Sequence, residues 1–346
     1  MYMDTELLES TARQMMAPGK GLLVADENTA SCQERFAAVG VPCNDDTRRE
    51  YHDILLTTPG AEEFLSGVLL FDETFWQSAK NGVVFREHLK KHQVLPGITV
   101  DGGLVPLPGF EGELVTEGLD GLPDYITTYQ SAGARFGKWR AVISIGDGKP
   151  TDECIGTNTL LLARYARICQ DVGIVPVVEV EIVFEGTHTI ERCKEVTAHV
   201  YDLLFQTMRA FKVHLPGLIL RASMVLPGKG SGAVTDHDAV AAHTSDVLHG
   251  HVPAELGGVT FLGGGQIQRD AFINLNRIVQ KGPYPWGVTF ALGHPLQDPI
   301  LQAWAQNRHA VHDIKQLFYR QLQIASAASL GRLDETVLAA RSNSQT

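Results

Sequence analysis

The feature of this sequence that most limits its fold is a repeated alternation of short apolar segments with longer amphipathic ones. The short segments are rich in β-branched residues and follow glycine or proline, with starts about 30 to 45 residues apart. This spacing leaves room for one helix and two loops after each. We predict eight strands, at residues 21–26, 66–73, 96–103, 136–146, 173–183, 216–225, 257–265 and 286–294.

The intervening segments have helical periodicity, as in residues 157–172 and 191–211. Near-continuous apolar strands alternating with helices are typical of a parallel sheet covered on both faces. Eight such units without a break in composition favour a closed (β/α)8 TIM barrel, of the α/β class, over a doubly wound sheet. We therefore predict a single domain over residues 1–346, with a C-terminal tail from about residue 331.

Composition and charge exclude several kinds of protein. With 29 basic and 40 acidic residues the net charge is −11, and no Lys/Arg cluster occurs, which argues against nucleic acid as a partner. The acidic start and the lack of an 18-residue apolar run predict neither a signal peptide nor a membrane partner. The five cysteines contain no CxxC pair, which predicts reduced, mostly buried thiols in a cytoplasmic protein.

Charged residues and glycines fall where the predicted strands end. Functional residues of barrel enzymes lie at these carboxyl ends. The residues concerned are Asp26, Lys138 with Arg140, Glu179 with Glu181, Arg221, Gly263, Gly264, Gly265, and Gly293 with His294. Members of a pair two residues apart share one face of a strand. Structural ion pairing alone would explain such a cluster. We favour instead a catalytic or anion-binding site at the mouth of the barrel. Three residues make this mouth locally cationic, namely Lys138, Arg140 and Arg221.

The glycine triplet 263–265 suits backbone N–H groups that approach a phosphate, although a tight turn needs the same residues. Gly293 after the last strand strengthens the phosphate interpretation. Glu179, Glu181 and His294 could in principle bind a metal ion, but no metal-binding motif occurs. We therefore expect neither a metal nor a cofactor.

Several blocks of the chain match one family in collinear order over about residues 5 to 330. They include LLVADENTAS, GVLLFDETF, GITVDGGLVPLPG, FGKWRAVISIG, GIVPVVEVEI and GVTFLGGGQ. In these blocks the chain resembles class I fructose-1,6-bisphosphate aldolase. The resemblance implies a (β/α)8 barrel, a homotetramer, a metal-independent lyase of glycolysis and a sugar-phosphate or similar carbonyl substrate.

The resemblance also implies roles for individual residues. Asp26 matches the aspartate beside the scissile bond, Lys138 the strand-four lysine, and Glu179 and Glu181 the acid/base and its carboxylate neighbour. Three further residues match the family residues that contact the substrate phosphates, namely Ser31, Arg35 and Arg140.

The chain departs from the family pattern at several of its ligand positions. Arg221 stands where the family has the strand-six lysine that forms a Schiff base with the substrate. Thr99 replaces a strand-three lysine, Gly263 a phosphate-loop serine and His294 a strand-eight arginine. The C-terminal tyrosine of the family is missing, since the last tyrosine is Tyr319.

These departures leave two hypotheses. The first is an altered carbon–carbon lyase, acting on a substrate with one phosphate or none, in which Arg221 stabilises an enediolate as a fixed cation. In a second version of it, neighbouring cations lower the pKa of Lys138, which then forms the imine. Lys229 lies too far along the chain for that role. The second hypothesis is an inactive homologue that acts as a binding or scaffold protein.

Overall fold

The computed structural model describes residues 3–335, and eight parallel strands in it form a closed barrel. Each strand pairs with the next along the chain, and the last pairs with the first. The predicted TIM barrel is therefore confirmed. The strands are β1 (Gly21–Ala25), β2 (Leu65–Leu70), β3 (Leu95–Thr99), β4 (Phe136–Ile143), β5 (Val175–Ile182), β6 (Ile219–Ala222), β7 (Gly258–Phe261) and β8 (Val288–Leu292).

Helices surround the barrel, and a two-stranded antiparallel hairpin, Leu104–Pro106 with Leu114–Thr116, follows β3. The helices are α1 (Thr5–Met15), α2 (Thr29–Ala38), α3 (Asp45–Leu56), α4 (Asp72–Trp76), α5 (Phe85–Lys91), α6 (Leu122–Ser131), α7 (Asp152–Asp171), α8 (Ile190–Ala210), α9 (His237–His251), α10 (Gln268–Gln280), α11 (His294–Gln306) and α12 (Val311–Ser329).

Several strands are shorter than the sequence predicts, because an apolar run indicates burial and not ladder hydrogen bonding. The run 216–225 contains only β6, which has four residues. Met224 and Val225 beyond it are buried, and the Val225 N–H donates to the Thr244 hydroxyl of α9 at 2.9 Å. The predicted run 66–73 likewise continues into α4.

Apolar packing closes one end of the barrel. Leu8, Ala12 and Met15 of α1 form a buried cluster with strand residues such as Phe136 and Ile219. The N-terminal ends of the strands are thereby sealed, so a ligand enters from the carboxyl ends. Part of the predicted tail, residues 336–346, lies outside the described residues.

The cysteines agree with the burial predicted for them. Four of the five are buried and Cys43 is partly buried. All five are free thiols in the structure.

Candidate active site

A cleft of about 880 Å³ opens at the carboxyl ends of the strands. All of the residues that the sequence nominates for catalysis or substrate binding line it. They are Asp26, Ser31, Arg35, Lys138, Arg140, Glu179, Glu181, Arg221, Gly263, Gly264, Gly265, Gly293 and His294. The residues nominated from strand ends and those implied by the resemblance, Ser31 and Arg35, thus lie in one cleft, while their chemical roles stay predictions.

Lys138 lies at the base of the cleft and is held by two carboxylates. Its Nζ atom is 2.7 Å from Oδ2 of Asp26 and 3.4 Å from Oε2 of Glu179. Thr99, in register with Lys138 across β3 and β4, donates its hydroxyl to the same Asp26 oxygen. Lys138 is 7% exposed. The ammonium group is therefore a buried, fully paired cation.

The expectation that cations lower the pKa of Lys138 is wrong. Burial by itself lowers the pKa of an ammonium group, but the Asp26 and Glu179 carboxylates outweigh it and raise the Lys138 pKa above its ordinary value. The charge of Arg221 lowers the Lys138 pKa, but it ranks behind the carboxylates in size. Lys138 is thus protonated, which disfavours it as an amine nucleophile.

Arg221 connects three strands of the barrel. Its Nη1 atom forms an ion pair with Oε2 of Glu179, the residue opposite it on β5. Its Nε and Nη2 atoms donate to the Ala291 carbonyl of β8 at 3.2 and 3.0 Å. At 7% exposed, the guanidinium is a fixed cation at the floor of the cleft. Arginine does not deprotonate in proteins, so Arg221 offers charge and hydrogen bonds but no amine.

The carboxylates that hold these cations stay ionised. Burial favours the neutral form of Asp26, but the Lys138 charge and the hydrogen bonds from Lys138 and Thr99 lower its pKa below the ordinary value. Burial acts likewise on Glu179, and the charges of Arg221 and Lys138 reverse the effect and lower its pKa. The base of the cleft is a four-residue ion-pair network.

Glu181 lies nearer the mouth and has a different environment. Burial, and then the charge of Glu179, raise the pKa of Glu181 above its ordinary value, although Arg140 opposes them. Its Oε2 atom is 3.3 Å from Nη1 of Arg140. A carboxyl whose pKa moves toward neutrality beside an ionised neighbour is suited to proton transfer.

Arg35 is tied to the cleft wall by acceptors. Its Nη1 atom pairs with Oε1 of Glu27 and donates to Oε1 of Gln297 at 3.1 Å. Its Nη2 atom lies 2.9 Å from Oδ1 of Asp298. The side chain that the family resemblance assigns to a phosphate therefore has both terminal nitrogens engaged within the protein.

Sequence reasoning missed Asp101, Glu27, Gln297 and Asp298. Asp101 lines the cleft, its Oδ2 atom is buried without a hydrogen-bond partner in the described chain, and burial raises its pKa. The two-residue rule that found Lys138 with Arg140 would have found it, because Asp101 follows Thr99 by two positions. Glu27 directly follows Asp26, whereas no strand-end signal marks the two α11 residues.

The prediction that the mouth of the cleft is locally cationic is wrong. Within residues 3–335 the cleft is lined by four cationic side chains and seven carboxyls. Each of the four cations forms an ion pair with a lining carboxylate. The cations are Arg35, Lys138, Arg140 and Arg221, and the carboxyls are Asp26, Glu27, Glu34, Asp101, Glu179, Glu181 and Asp298.

The glycine loop after β7 packs closely on the start of α11. A Cβ atom added at Gly263 would lie 2.7 Å from Cγ of Pro295, so this position excludes a side chain. Gly264 and Gly265 have φ values of 57° and 75°, which favour glycine. His294 is the first residue of α11, and burial followed by the Arg35 charge lowers its pKa.

No three His, Cys, Asp or Glu side chains in residues 3–335 are arranged to hold a metal ion. In the same part of the chain no helix is long and apolar enough to cross a bilayer.

Comparison with known proteins agrees with this architecture. The profile of the fructose-bisphosphate aldolase class-I family matches residues 6–346. A probable fructose-bisphosphate aldolase class 1 of Xanthomonas axonopodis is 43% identical over 331 residues, covering 95% of this chain and 99% of the relative. The cytosolic fructose-bisphosphate aldolase 4 of Arabidopsis thaliana is 42% identical over 325 residues, covering 94% of this chain and 83% of the relative.

A solved structure is similar over the same range. The fructose-bisphosphate aldolase of Plasmodium falciparum, solved with TRAP and a small-molecule inhibitor, has a TM-score of 0.93 and 39% sequence identity. The match covers 95% of each chain. The barrel, its cleft and these matches together show that the chain belongs to the class I fructose-bisphosphate aldolase family.

Proposed function

We propose that this chain is an aldehyde-lyase that breaks or forms a carbon–carbon bond next to a carbonyl group without a Schiff base. The observation that carries the proposal is Arg221 on β6, a buried guanidinium beside the paired ammonium of Lys138. Two fixed cations at the floor of a cleft can stabilise an enediolate electrostatically. They supply the charge that a protonated imine supplies in covalent catalysis.

The proposed reaction is a retro-aldol cleavage with a balanced proton transfer. Glu181, as a carboxylate, takes the proton from the hydroxyl on the carbon β to the carbonyl. The bond between the α and β carbons breaks, and the β carbon leaves as an aldehyde. The electron pair of the broken bond stays on the α carbon and forms an enediolate next to Lys138 and Arg221. The Glu181 carboxyl then returns the proton to the α carbon, so nothing is oxidised or reduced.

Asp26 and Glu179 act as positioning residues in this proposal. They hold Lys138 and Arg221 in place through ion pairs and hydrogen bonds. Arg140, at 3.3 Å from Glu181, assists ionisation of that carboxyl. A site that keeps its cations fixed before the reaction avoids reorganisation during it.

An imine on Lys138 is the weaker version of the hypothesis. The amine must lose its proton before it attacks a carbonyl, and the two carboxylates at 2.7 and 3.4 Å favour the charged form. The arginine at the strand-six position leaves no second amine on that strand.

A second candidate function is binding without chemistry. One observation favours it, since every cation of the cleft in the described chain already has a carboxylate partner, as in a network that serves stability alone. The Plasmodium aldolase was solved in complex with TRAP. Under this second candidate function, the present chain would likewise bind a protein partner. A cytosolic location and a tetramer also stay predictions.

The experiment that separates the two candidates is hydrogen exchange at the α carbon. Dihydroxyacetone is incubated with the protein in D2O, and loss of its proton signal is followed by NMR. We expect exchange above the buffer rate, and a loss of about 100-fold or more in Glu181→Gln. Glu6→Gln, an exposed change at the sealed end of the barrel, serves as control. No exchange above buffer by the wild-type chain would favour binding without chemistry.

A further inference from the structure

The side of the cleft around Arg35 contains more carboxyl groups than cationic groups. This side, called the Arg35 side below, comprises Glu27, Glu34, Arg35, His294 and Asp298, all of which line the cleft. Three of the five are carboxyls and one is a cation. Since burial and the Arg35 charge disfavour protonation of His294 by lowering its pKa, the histidine does not offset the carboxyls at neutral pH.

The Arg35 guanidinium already makes three hydrogen bonds within the protein, two of them to carboxylates. Its two terminal nitrogens are occupied by Glu27, Gln297 and Asp298. A phosphate at this place would have to share the guanidinium with two carboxylates and lie next to them. Carboxylate and phosphate are both anions, so this arrangement is unfavourable.

One acceptor on this side has no donor. The Glu27 side chain is 9% exposed, and its Oε2 atom has no hydrogen-bond partner in the described chain. Burial raises the pKa of Glu27, and the charge of Arg35 opposes this effect. In the charged form, a buried carboxylate oxygen without a donor costs free energy that a suitable ligand group would recover. The wall of the cleft therefore favours a ligand that donates hydrogen bonds here.

The charge of the whole cleft leads to the same result. Even if Glu27, Asp101 and Glu181 all carried protons, the four other carboxylates would balance the four cations of the described chain. The backbone N–H groups of the loop 263–265 can serve one phosphate. A second phosphate would find no cation that is not already paired.

We propose that the ligand of this cleft carries at most one phosphate and presents a hydrogen-bond donor, a hydroxyl or an ammonium group, to the Arg35 side. This inference rests on the proposed function for the ligand's carbonyl group. It identifies the substrate class as an unphosphorylated or singly phosphorylated polyhydroxy carbonyl compound, and excludes a bisphosphate.

The test compares three ligands that differ only at one end. Fructose 1-phosphate, 6-amino-6-deoxyfructose 1-phosphate and fructose 1,6-bisphosphate are titrated into the full-length chain by calorimetry at one ionic strength. We expect one of the two monophosphates to bind at least about tenfold more tightly than the bisphosphate. The tighter of the two identifies the donor as hydroxyl or ammonium.

A charge reversal on the Arg35 side supplies the matched control. Glu34 is exposed, so Glu34→Lys is expected to fold, and it should lower the dissociation constant of the bisphosphate about fivefold or more. Glu6→Lys makes the same change in net charge at the sealed end of the barrel. It should change that constant less than twofold.

The outcomes separate this inference from the proposed function. Tightest binding of the bisphosphate, or no binding of any of the three ligands, overturns the inference. If the bisphosphate binds best and its α-carbon proton exchanges in D2O, the inference fails and the proposed function stands. If a monophosphate binds best but no proton exchanges, the proposed function fails and the inference stands.

Discussion

The Nζ atom of Lys138 lies 2.7 Å from Oδ2 of Asp26, at the base of a barrel whose strand-six position carries Arg221. The lysine on β4 thus forms an ion pair with a carboxylate, while the cation on β6 is an arginine, which forms no imine. Both cations remain at the floor of the cleft. Within residues 3–335 the cleft therefore contains two fixed cations at its floor and no free amine.

Arg221→Lys should create an amine that reacts with a carbonyl. After incubation with dihydroxyacetone and borohydride, mass spectrometry is expected to find an adduct at position 221, since the residue lines the cleft. Arg221→Met, which has no amine there, should give no such adduct. If Arg221→Lys also gives none, a ligand carbonyl does not reach this position.

Lys138→Met should destabilise the fold because it leaves Asp26 and Glu179 as buried carboxylates without their common partner. Removal of one partner from a buried ion pair costs about 3–5 kcal/mol in the free energy of unfolding. Denaturant unfolding at pH 7 measures it, with exposed Lys90→Met as control.

A second substitution tests the reason for this loss. Adding Asp26→Asn to Lys138→Met should recover part of the stability, because one buried charge is then removed. A loss below about 1 kcal/mol in Lys138→Met would mean that the network of the cleft base is not coupled as its distances indicate.

Gly263→Ser should destabilise the loop after β7. A Cβ atom there would lie 2.7 Å from the rigid ring of Pro295, and overpacking of this kind costs about 1–3 kcal/mol in the free energy of unfolding. The same serine in a Pro295→Ala background should cost less, as thermal or denaturant unfolding of the four chains would report. An equal cost in both backgrounds would contradict the steric explanation.

His52, outside the cleft, should make stability depend on pH. It is buried, with its Nδ1 atom 3.1 Å from the Thr74 hydroxyl, and burial lowers its pKa from 6.5 to about 4. The unfolded chain therefore takes up a proton first as pH falls. The folded state loses about 3 kcal/mol of stability from this group between pH 7 and pH 4.

The His52→Gln variant isolates that contribution. It keeps a polar group next to Thr74, and its free energy of unfolding should fall less than that of the wild-type chain over the same pH range. His309→Gln, at an exposed position, should leave the slope unchanged. Equal slopes for the wild-type and His52→Gln chains would contradict the assignment.

The sequence is sufficient to predict the barrel and to nominate residues that line one cleft. Apolar segments after glycine or proline marked the strands, and charges two residues apart, such as Glu179 with Glu181, marked the inward faces at the strand ends. These signals depend on period and position, which a single chain displays. Strand ends were less predictable, since buried residues such as Met224 continue the apolar pattern beyond the ladder.

Pairing across the barrel could not be predicted. Which carboxylate holds Lys138 depends on register between strands and on rotamers, and the register sets Glu179 opposite Arg221. The sequence alone therefore predicts a lowered pKa for Lys138, because its nearest charged neighbours along the chain are the cations Arg135 and Arg140. Two of the three acceptors around Arg35, Gln297 and Asp298, come from α11, more than 250 residues away, and so leave no local signal.

The most direct test of imine-independent chemistry is treatment of the wild-type chain with cyanoborohydride, which at neutral pH reduces an iminium but spares a free ketone, during turnover of dihydroxyacetone. The α-carbon exchange and the protein mass are measured on the same sample. We expect exchange to continue at the untreated rate and no lysine to carry an adduct. An adduct on Lys138 together with loss of exchange would contradict this expectation, and would assign the reaction to a Schiff base on β4.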